Sequence, residues 1–132
     1  MWKIWYQNNP IRSIKRRFSE DKKKAAKRNL AWSIIIEQYK KLIIDHCFYC
    51  NNKLCDPVIR AVGLDRLNCK IGYQESNVVS CCYVCNIIKH QHLSPEETKI
   101  AVNAIIKYRE DNNTLSIRKQ DTMDIVSNHN RN

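Results

Sequence analysis

Two Cys-x-x-Cys dyads, Cys47/Cys50 and Cys82/Cys85, carry the strongest chemical signal in this sequence. Each dyad predicts a tight knuckle that points both sulfur atoms at one ion, and two knuckles complete the tetrahedral four-sulfur shell that zinc prefers. Because four protein ligands leave no open coordination position, we expect this zinc to stabilise the fold without taking part in chemistry. Two disulfides are the alternative interpretation, but the sequence shows no secretory signal and intracellular lysine-rich chains rarely keep disulfides.

The remaining cysteines leave the register of the second dyad open. Cys81 adjoins Cys82 and offers an alternative fourth ligand, whereas Cys55 and Cys69 stand at no ligand spacing and receive no metal role. Since metal binding at such sites is part of the folding free energy, we expect a chelator to loosen the whole central domain.

Positive charge is the second chemical signal, and it is concentrated at the N-terminus. Residues 1–41 contain 12 Lys/Arg against 3 Asp/Glu, whereas residues 42–132 contain 11 against 10. This arm predicts a polyanionic partner, most often nucleic acid, and a solvated lysine-rich leader is the alternative. The candidate DNA contacts recur at spacings that would stripe a helix: Arg12, Lys15, Arg16, Arg17, Lys22, Lys23, Lys24, Lys27 and Arg28.

Short elements must position these residues. Pro10 predicts the start of a helix that ends near Arg28, and Ser33 is the candidate N-cap of a second, amphipathic helix that leads into the first dyad. An extended segment is predicted from Pro57 to Leu64.

A second extended run at Val78-Val79 completes a predicted hairpin. Helical periodicity then follows from Cys82 to about His90. The capping box Ser94-Pro95-Glu96-Glu97 predicts a last helix that ends near Glu110.

The length of 132 residues predicts one compact unit with three regions. These are a basic helical arm at 1–41, a zinc-stapled domain at 42–110 and a polar tail at 111–132. No apolar run approaches the roughly 20 residues of a membrane span, so we expect a soluble protein without a membrane partner. The absent signal and the thiols predict an intracellular location, in a bacterium or a virus-infected host.

The segment around and between the dyads carries an ordered set of motifs that resembles the HNH nuclease superfamily. The branch it resembles is zinc-stapled, has an Asp-Arg motif and is found in phage and other mobile-element proteins. The resemblance covers about residues 45–95 and implies an α+β chain, with a small ββα-metal (His-Me finger) core flanked by helices. The motifs are Cys47-Phe48-Tyr49-Cys50, Gly63-Leu64-Asp65-Arg66, Gly72-Tyr73, Asn77-Val78-Val79, Cys82-Tyr83-Val84-Cys85-Asn86 and Lys89.

This resemblance implies a second, catalytic metal between the hairpin and the helix. Its ligands would be Asp65 and Asn86, whose hard oxygen atoms suit Mg²⁺ or Mn²⁺ near the scissile phosphate. His90 matches a third ligand of some HNH enzymes, and a surface histidine is the alternative. Asn77 matches the central motif asparagine, which we expect to bond the backbone of the hairpin loop. Lys89 is added to the predicted DNA contacts.

Arg66 departs from the usual pattern, because most HNH enzymes carry a histidine there that activates the attacking water. Arginine stays protonated at neutral pH, so we expect it to stabilise the transition state. Tyr49 is the leading candidate for the base, with a packing role beside zinc as its alternative. His46, His92 and water activated by the metal alone are further candidates. The flanking Gly63 and Gly72 predict a tight hairpin with close backbone approach to a ligand.

Together these features predict a metal-dependent DNA endonuclease of restriction, homing or phage type, and the resemblance to the HNH superfamily implies that it leaves 5′-phosphate and 3′-hydroxyl ends. One active site cuts one strand, so double-strand cleavage requires a homodimer or two successive nicks. A junction-resolving nuclease is the alternative within enzymes, although such a resolvase keeps the base histidine. A zinc-stapled DNA-binding module that has lost catalysis is the alternative from another class. Arg66 motivates that alternative, and the intact Asp65/Asn86 pair argues against it.

Overall fold

The computed structural model describes residues 10–55 and 62–113, with side chains from Ile14 onward. Residues 57–61 of the extended segment predicted from Pro57 to Leu64, the tail beyond residue 113 and the side chain of Arg12 lie outside the described residues. None of the described helices is both long enough and apolar enough to span a bilayer.

Four helices and one two-stranded hairpin make up the described chain, in the order that the sequence predicts. The hairpin lies in the middle of the chain, with two helices before it and two after it. The elements are α1 (Pro10–Lys27), α2 (Ile36–Ile43), β1 (Gly63–Arg66), a 3-10 turn (Glu75–Asn77), β2 (Val78–Cys81), α3 (Tyr83–Lys89) and α4 (Pro95–Asp111).

The two strands pair antiparallel, and α3 follows the second strand almost directly. Asp65 stands opposite Val79, and Arg66 stands opposite Val78. Only Cys82 separates β2 from α3, and contacts of Lys89 with Asp65 and Arg66 place the helix beside the hairpin. The result is a ββα unit, which confirms the predicted α+β class and the ββα-metal type of core.

The helix starts show one correct and one wrong prediction. At α4 the capping box is present, because Ser94 Oγ accepts from Glu97 N at 3.1 Å and Glu97 Oε1 accepts from Ser94 N at 2.9 Å. At α2 the N-cap is Ile35 and not Ser33. Ser33 N instead donates to Tyr73 O at 2.8 Å, next to a parallel bridge between Trp32 and Tyr73. This bridge keeps the backbone extended, so the helix begins later.

The basic helix α1 packs on an aromatic core that it shares with α2. The Phe18 ring lies 5.6 Å from Trp32 and 5.4 Å from Tyr39, both edge-on. Tyr39 Oη donates to Asp21 Oδ2 at 2.6 Å, which adds a polar tie between the two helices. The predicted boundary after residue 41 stays a prediction, but the described part of the arm is packed against the helix that leads to the first dyad.

A second buried cluster surrounds the cysteine dyads and joins the hairpin to α4. Val102 and Ile106 of α4 pack there with Leu54 and Val62. The two apolar clusters together hold the hairpin between helices, and this placement fixes the position of Asp65.

Gly72 is required by close packing against another segment of backbone. A Cβ atom at this position would lie 2.5 Å from Ala31 O and 2.9 Å from Ala31 N. Tyr73 N donates to Ala31 O at 2.8 Å, so the two backbones touch. A Cβ atom at Gly63 would make an ordinary contact with Cys81 O at 4.0 Å, and neither glycine has a positive φ. The close packing at Gly72 is therefore with the segment before α2, and the predicted approach to a ligand stays a prediction.

Candidate functional site

The two cysteine dyads meet in one buried cluster. The Sγ atoms of Cys47, Cys50, Cys82 and Cys85 all lie within 4.8 Å of one another, and Cys50 Sγ is 3.6 Å from Cys82 Sγ. A tetrahedral shell with Zn–S bonds of about 2.3 Å needs sulfur atoms about 3.8 Å apart. All seven cysteines lie in the described part of the chain, and none of them forms a disulfide. The geometry and the all-sulfur donor set fit a structural zinc ion.

Local structure brings the sulfur atoms of each dyad together. Asn51 and Asn52 follow the first dyad with φ of 51° and 63°, a left-handed turn that asparagine tolerates better than most residues. In the second dyad Cys82 is the N-cap of α3, and Cys85 N donates to Cys82 Sγ at 3.4 Å. Cys81 Sγ points to the Cys82 carbonyl at 3.4 Å. The four-sulfur cluster therefore contains Cys82 and does not contain Cys81.

The thiols of the cluster compete for negative charge. Hydrogen bonds from Cys50 and from the thiols of Cys81, Cys82 and Cys85 hold the pKa of Cys47 below its ordinary value. Hydrogen bonding to Cys47 has the opposite effect on Cys82 and raises the pKa of that thiol. A divalent cation removes this competition because it stabilises all four thiolates together.

A polar cavity of about 410 Å³ opens between the hairpin and α3. It brings together Arg28, which directly follows α1, with residues of β1, the hairpin loop and the end of α3, so no single segment of sequence forms it. The predicted site residues that line it are Asp65, Arg66, Asn86, His90 and Arg28, and Cys69 and Tyr73 also line it.

Asp65 is the most buried acidic group at this cavity, with 6% of the residue exposed. Its Oδ2 accepts a hydrogen bond from Tyr49 Oη at 2.6 Å. Its Oδ1 lies 3.3 Å from Lys89 Nζ, and the side chains of this ion pair are 6% and 1% exposed. Both carboxylate oxygens are thus oriented by neighbours, while each keeps a further lone pair for a cation.

Tyr49 contacts Asp65 directly, but as a hydrogen-bond donor. Burial, the hydrogen bond to Asp65 and the negative charge of Asp65 raise the pKa of the Tyr49 phenol well above its usual value. A phenol that keeps its proton is a poor base at neutral pH. The arrangement therefore favours orientation of Asp65 by Tyr49 over the predicted role as base.

Lys89 does not lie where the predicted DNA contact requires. Only 1% of the residue is exposed, and its ammonium donates to Arg66 O at 3.0 Å besides pairing with Asp65. A buried ammonium that is already saturated by protein atoms cannot reach a phosphate. The sequence contained a signal for this, because Lys89 follows the zinc ligand Cys85 by four residues and so lies on the same inward face of α3.

Asn77 shapes the hairpin loop as predicted. It is 5% exposed, and its Nδ2 lies 3.1 Å from Asn68 O and 3.0 Å from Gly72 O. Its Oδ1 accepts from Asn68 N at 2.9 Å. The amide thus closes the loop between β1 and the 3-10 turn, which is an orienting role.

Arg66 is bound to the same loop. Its Nη1 donates to Cys69 O at 2.6 Å and to Ile71 O at 3.1 Å, and its guanidinium lies 5.5 Å from the centre of the Tyr73 ring. The residue is 8% exposed and lines the cavity. Sequence reasoning gave no role to Cys69 and Tyr73, because only the folded loop brings them beside Arg66.

Asn86 and His90 reach the cavity from the exposed side of α3. The helix ends at Lys89, and His90 has φ 46° and ψ −133°, although its N still donates to Asn86 O at 2.8 Å. This left-handed conformation is unfavourable for a residue other than glycine and stores about 1–3 kcal/mol of strain. The His90 ring stacks on His92 at 5.1 Å. His46, the other alternative base, is exposed and its Nδ1 lies 2.7 Å from Asn52 Nδ2, outside this cavity.

The basic residues of α1 divide into two groups. Arg17 is half-buried and its Nη2 donates to Val62 O at 2.9 Å, so it fastens the helix beside β1. Arg16 forms an exposed ion pair with Glu20 at 3.0 Å. The other described basic side chains of α1 are exposed, and so is Arg28, which directly follows the helix. Those of α1 are Lys15, Lys22, Lys23, Lys24 and Lys27.

Arg28 connects this basic surface to the cavity at Asp65. A second cavity of about 230 Å³ lies between α1 and the hairpin, lined by Arg17, Lys24 and Arg28 among others. Arg28, Leu64 and Tyr73 line both cavities, so the two are adjacent. A path of basic side chains therefore leads from α1 to the cavity that contains Asp65.

Comparisons with known proteins give one sequence match. No protein-family model matches the chain. An uncharacterized protein of Acanthamoeba polyphaga mimivirus is 30% identical over 66 residues, which is 50% of this chain and 12% of that protein. The chain thus spans about an eighth of the length of this relative.

Among solved structures, the rare-cutting HNH restriction endonuclease PacI has the same fold. The TM-score is 0.60 at 21% sequence identity, and the match covers 76% of this chain and 80% of the other. Identity at this level supports a shared fold and says nothing by itself about activity. With the antiparallel hairpin, the helix beside it and the four-cysteine cluster, the chain has the HNH-like ββα-metal fold that its motif order predicts.

Proposed function

We propose that this chain is a metal-dependent DNA endonuclease that hydrolyses phosphodiester bonds. The observation that carries the proposal is the placement of Asp65, a buried strand carboxylate in a cavity that also contains Asn86 and is reached by the basic face of α1. The fold shared with an HNH restriction endonuclease supports it.

The donor set at the cavity suits a hard divalent cation. Asp65 offers carboxylate oxygens, Asn86 an amide oxygen and His90 an imidazole nitrogen. Oxygen ligands favour Mg²⁺ or Mn²⁺, and the all-sulfur zinc cluster is chemically distinct from them. A bound cation would neutralise charge that develops on the phosphate and on the leaving oxygen.

The protein residues have separable roles in this proposal. Asp65 and Asn86 hold the cation, with His90 as a third ligand. Tyr49 fixes the carboxylate by donating to it. Arg66 places a permanent positive charge at the cavity wall, where it stabilises the negative charge of the phosphate in the transition state.

The path that runs along α1 to Arg28 would bind the DNA backbone. Exposed Lys and Arg side chains at helical spacing contact phosphates and carry affinity without sequence information. Arg28 is the nearest of them to the reacting centre, since it lines the cavity with Asp65. We expect it to contact a phosphate beside the scissile one.

The test is cleavage of supercoiled plasmid by zinc-loaded protein, with Mg²⁺ or Mn²⁺ added or omitted. Asp65→Asn and Asn86→Ala should abolish metal-dependent cutting while each variant keeps its zinc. Circular dichroism at the assay temperature checks that Asp65→Asn stays folded although Lys89 loses its counter-charge. Asp111→Asn is the matched control, because Asp111 is exposed at the end of α4, far along the chain from the cavity residues. Activity that survives Asp65→Asn would contradict the assignment.

The cleavage products also show whether the protein cuts one strand at a time or both strands together. Nicked circles that precede linear DNA indicate independent strand cleavage, whereas direct linearisation that rises with protein concentration indicates a homodimer. A four-way junction as a second substrate tests the resolving alternative.

A DNA-binding module without catalysis is the second candidate function. The observation that favours it is the internal neutralisation of Asp65, whose oxygens are engaged by Lys89 and Tyr49. This candidate predicts retardation of DNA on a gel with no cutting under either metal.

A further inference from the structure

Lys89 is an unusual residue because its charge is almost wholly removed from water. An ammonium group buried without partners would be strongly destabilising, so such groups are paired or neutralised. Lys89 Nζ has three donors and three acceptors are at hand, namely Asp65 Oδ1 at 3.3 Å, Arg66 O at 3.0 Å and Cys69 Sγ at 3.9 Å. The side chain is therefore saturated within the protein.

The three acceptors belong to one place, the end of β1 and the loop that follows it. Lys89 itself is the last residue of α3. Its side chain thus fastens the end of the helix to the strand that carries Asp65. Asn86 lies three residues earlier on the same helix and lines the same cavity as Asp65, so this fastening also fixes where Asn86 lies relative to the carboxylate.

We propose that Lys89 is a positioning residue for the divalent-cation site. Lys89 orients the Asp65 carboxylate and balances its charge before the metal binds. The inference rests on the proposed function, since it concerns the same carboxylate. Its consequence is that the resident ammonium and the incoming cation share Asp65, so Lys89 weakens metal binding while it keeps the site correctly arranged.

The test compares metal binding by wild-type protein and Lys89→Met, each zinc-loaded and free of DNA, at pH 8. Manganese is the probe. Its binding is measured by electron paramagnetic resonance and by the rise in Tm when Mn²⁺ is added. Met has a similar length and no charge, so it leaves Asp65 without its counter-cation. We expect Lys89→Met to lose on the order of 10 °C in Tm without manganese and to recover more with manganese than wild type does. The Mn²⁺ affinity should rise about tenfold, while cleavage at saturating metal falls.

Lys70→Met is the matched control, because Lys70 is an exposed lysine of the hairpin loop. The same loss of formal charge there should leave the Mn²⁺ affinity and the manganese-dependent Tm shift at wild-type values. An equal effect of both variants would mean that general electrostatics, and not the contact to Asp65, controls the metal.

A purely structural role for Lys89 gives a different result. Tm would fall in Lys89→Met, but the manganese-dependent rise and the Mn²⁺ affinity would match wild type, and this outcome overturns the proposal. If Lys89→Met does not fold, Lys89→Gln takes its place in the same manganese comparison, because glutamine removes the charge and keeps a hydrogen-bond donor for Arg66 O.

Metal binding without DNA separates this inference from the proposed function. A wild-type protein that binds Mn²⁺ more weakly than Lys89→Met, yet cuts no DNA, would refute the nuclease and leave the role of Lys89 intact. A wild-type protein and a variant that both bind no Mn²⁺ would overturn the inference itself.

Discussion

Replacement of Asn77 by alanine should destabilise the hairpin and with it the candidate site. The Nδ2 group has two hydrogens and lies near three loop carbonyls, those of Asn68 at 3.1 Å, Ile71 at 3.3 Å and Gly72 at 3.0 Å. The Oδ1 atom accepts from Asn68 N at 2.9 Å. Asn77→Ala therefore removes three satisfied hydrogen bonds at a position that is 5% exposed.

The magnitude follows from these contacts. A typical intramolecular hydrogen bond contributes about 1 kcal/mol, and a buried polar group left without its partner costs about 1–3 kcal/mol. The loop is partly open to water at Asn68, so the lower end of that range applies to each lost bond. We expect a decrease in the free energy of unfolding of about 3 kcal/mol.

The assay is equilibrium unfolding in urea, followed by far-ultraviolet circular dichroism on zinc-loaded protein. Asn112→Ala is the matched control, because Asn112 Nδ2 makes one exposed bond to Tyr108 O at 2.8 Å. That variant should lose no more than about 0.5 kcal/mol. A loss below about 1 kcal/mol in Asn77→Ala would refute the view that this amide closes the loop.

Three further predictions concern other parts of the molecule. Cys82→Ser should lose zinc on dialysis whereas Cys81→Ser keeps one ion per chain by atomic absorption, and equal retention would contradict the register of the cluster. Because folding raises the pKa of Tyr49, its phenol loses the proton at a lower pH in the unfolded chain than in the folded protein. The free energy of unfolding should therefore fall as the pH rises above about 10. Tyr49→Phe should reduce that dependence of Tm on pH, and an unchanged pH profile would count against the buried hydrogen bond to Asp65. DNA binding by the double variant Lys24→Gln/Arg28→Gln should depend less on salt. The slope of the logarithm of the DNA association constant against the logarithm of the salt concentration should become less negative by about 1 to 2, and an unchanged slope would exclude phosphate contacts there.

Local signals in the sequence were sufficient for several features of the fold. The spacing of the dyads predicts a four-sulfur site because a two-residue gap forces both thiols to one side of a knuckle. The Ser94 capping box predicts the start of α4, since its two hydrogen bonds join residues only three apart. The prediction failed at Ser33, where a bridge between Trp32 and Tyr73 outweighs the local capping preference.

The site itself was predicted only in part. The motif order supplied Asp65 and Asn86, and the structure brings both to one cavity. It did not supply the contacts that set their properties, because Tyr49 and Lys89 lie 16 and 24 residues from Asp65 in the chain. Whether a phenol is a base or a donor depends on what it touches, and a sequence of residue types does not contain that contact.

By itself the sequence determined the classes of element, the cysteine cluster and the residue types available for chemistry, because these depend on periodicity and on spacing within a few residues. Tertiary structure alone decided how those groups are used. Burial turned Lys89 from a predicted phosphate contact into the counter-charge of Asp65, and close packing against Ala31 explained Gly72. The physical reason is that charge, pKa and accessibility are set by neighbours distant along the chain, which only the packing of α3 against the hairpin brings together.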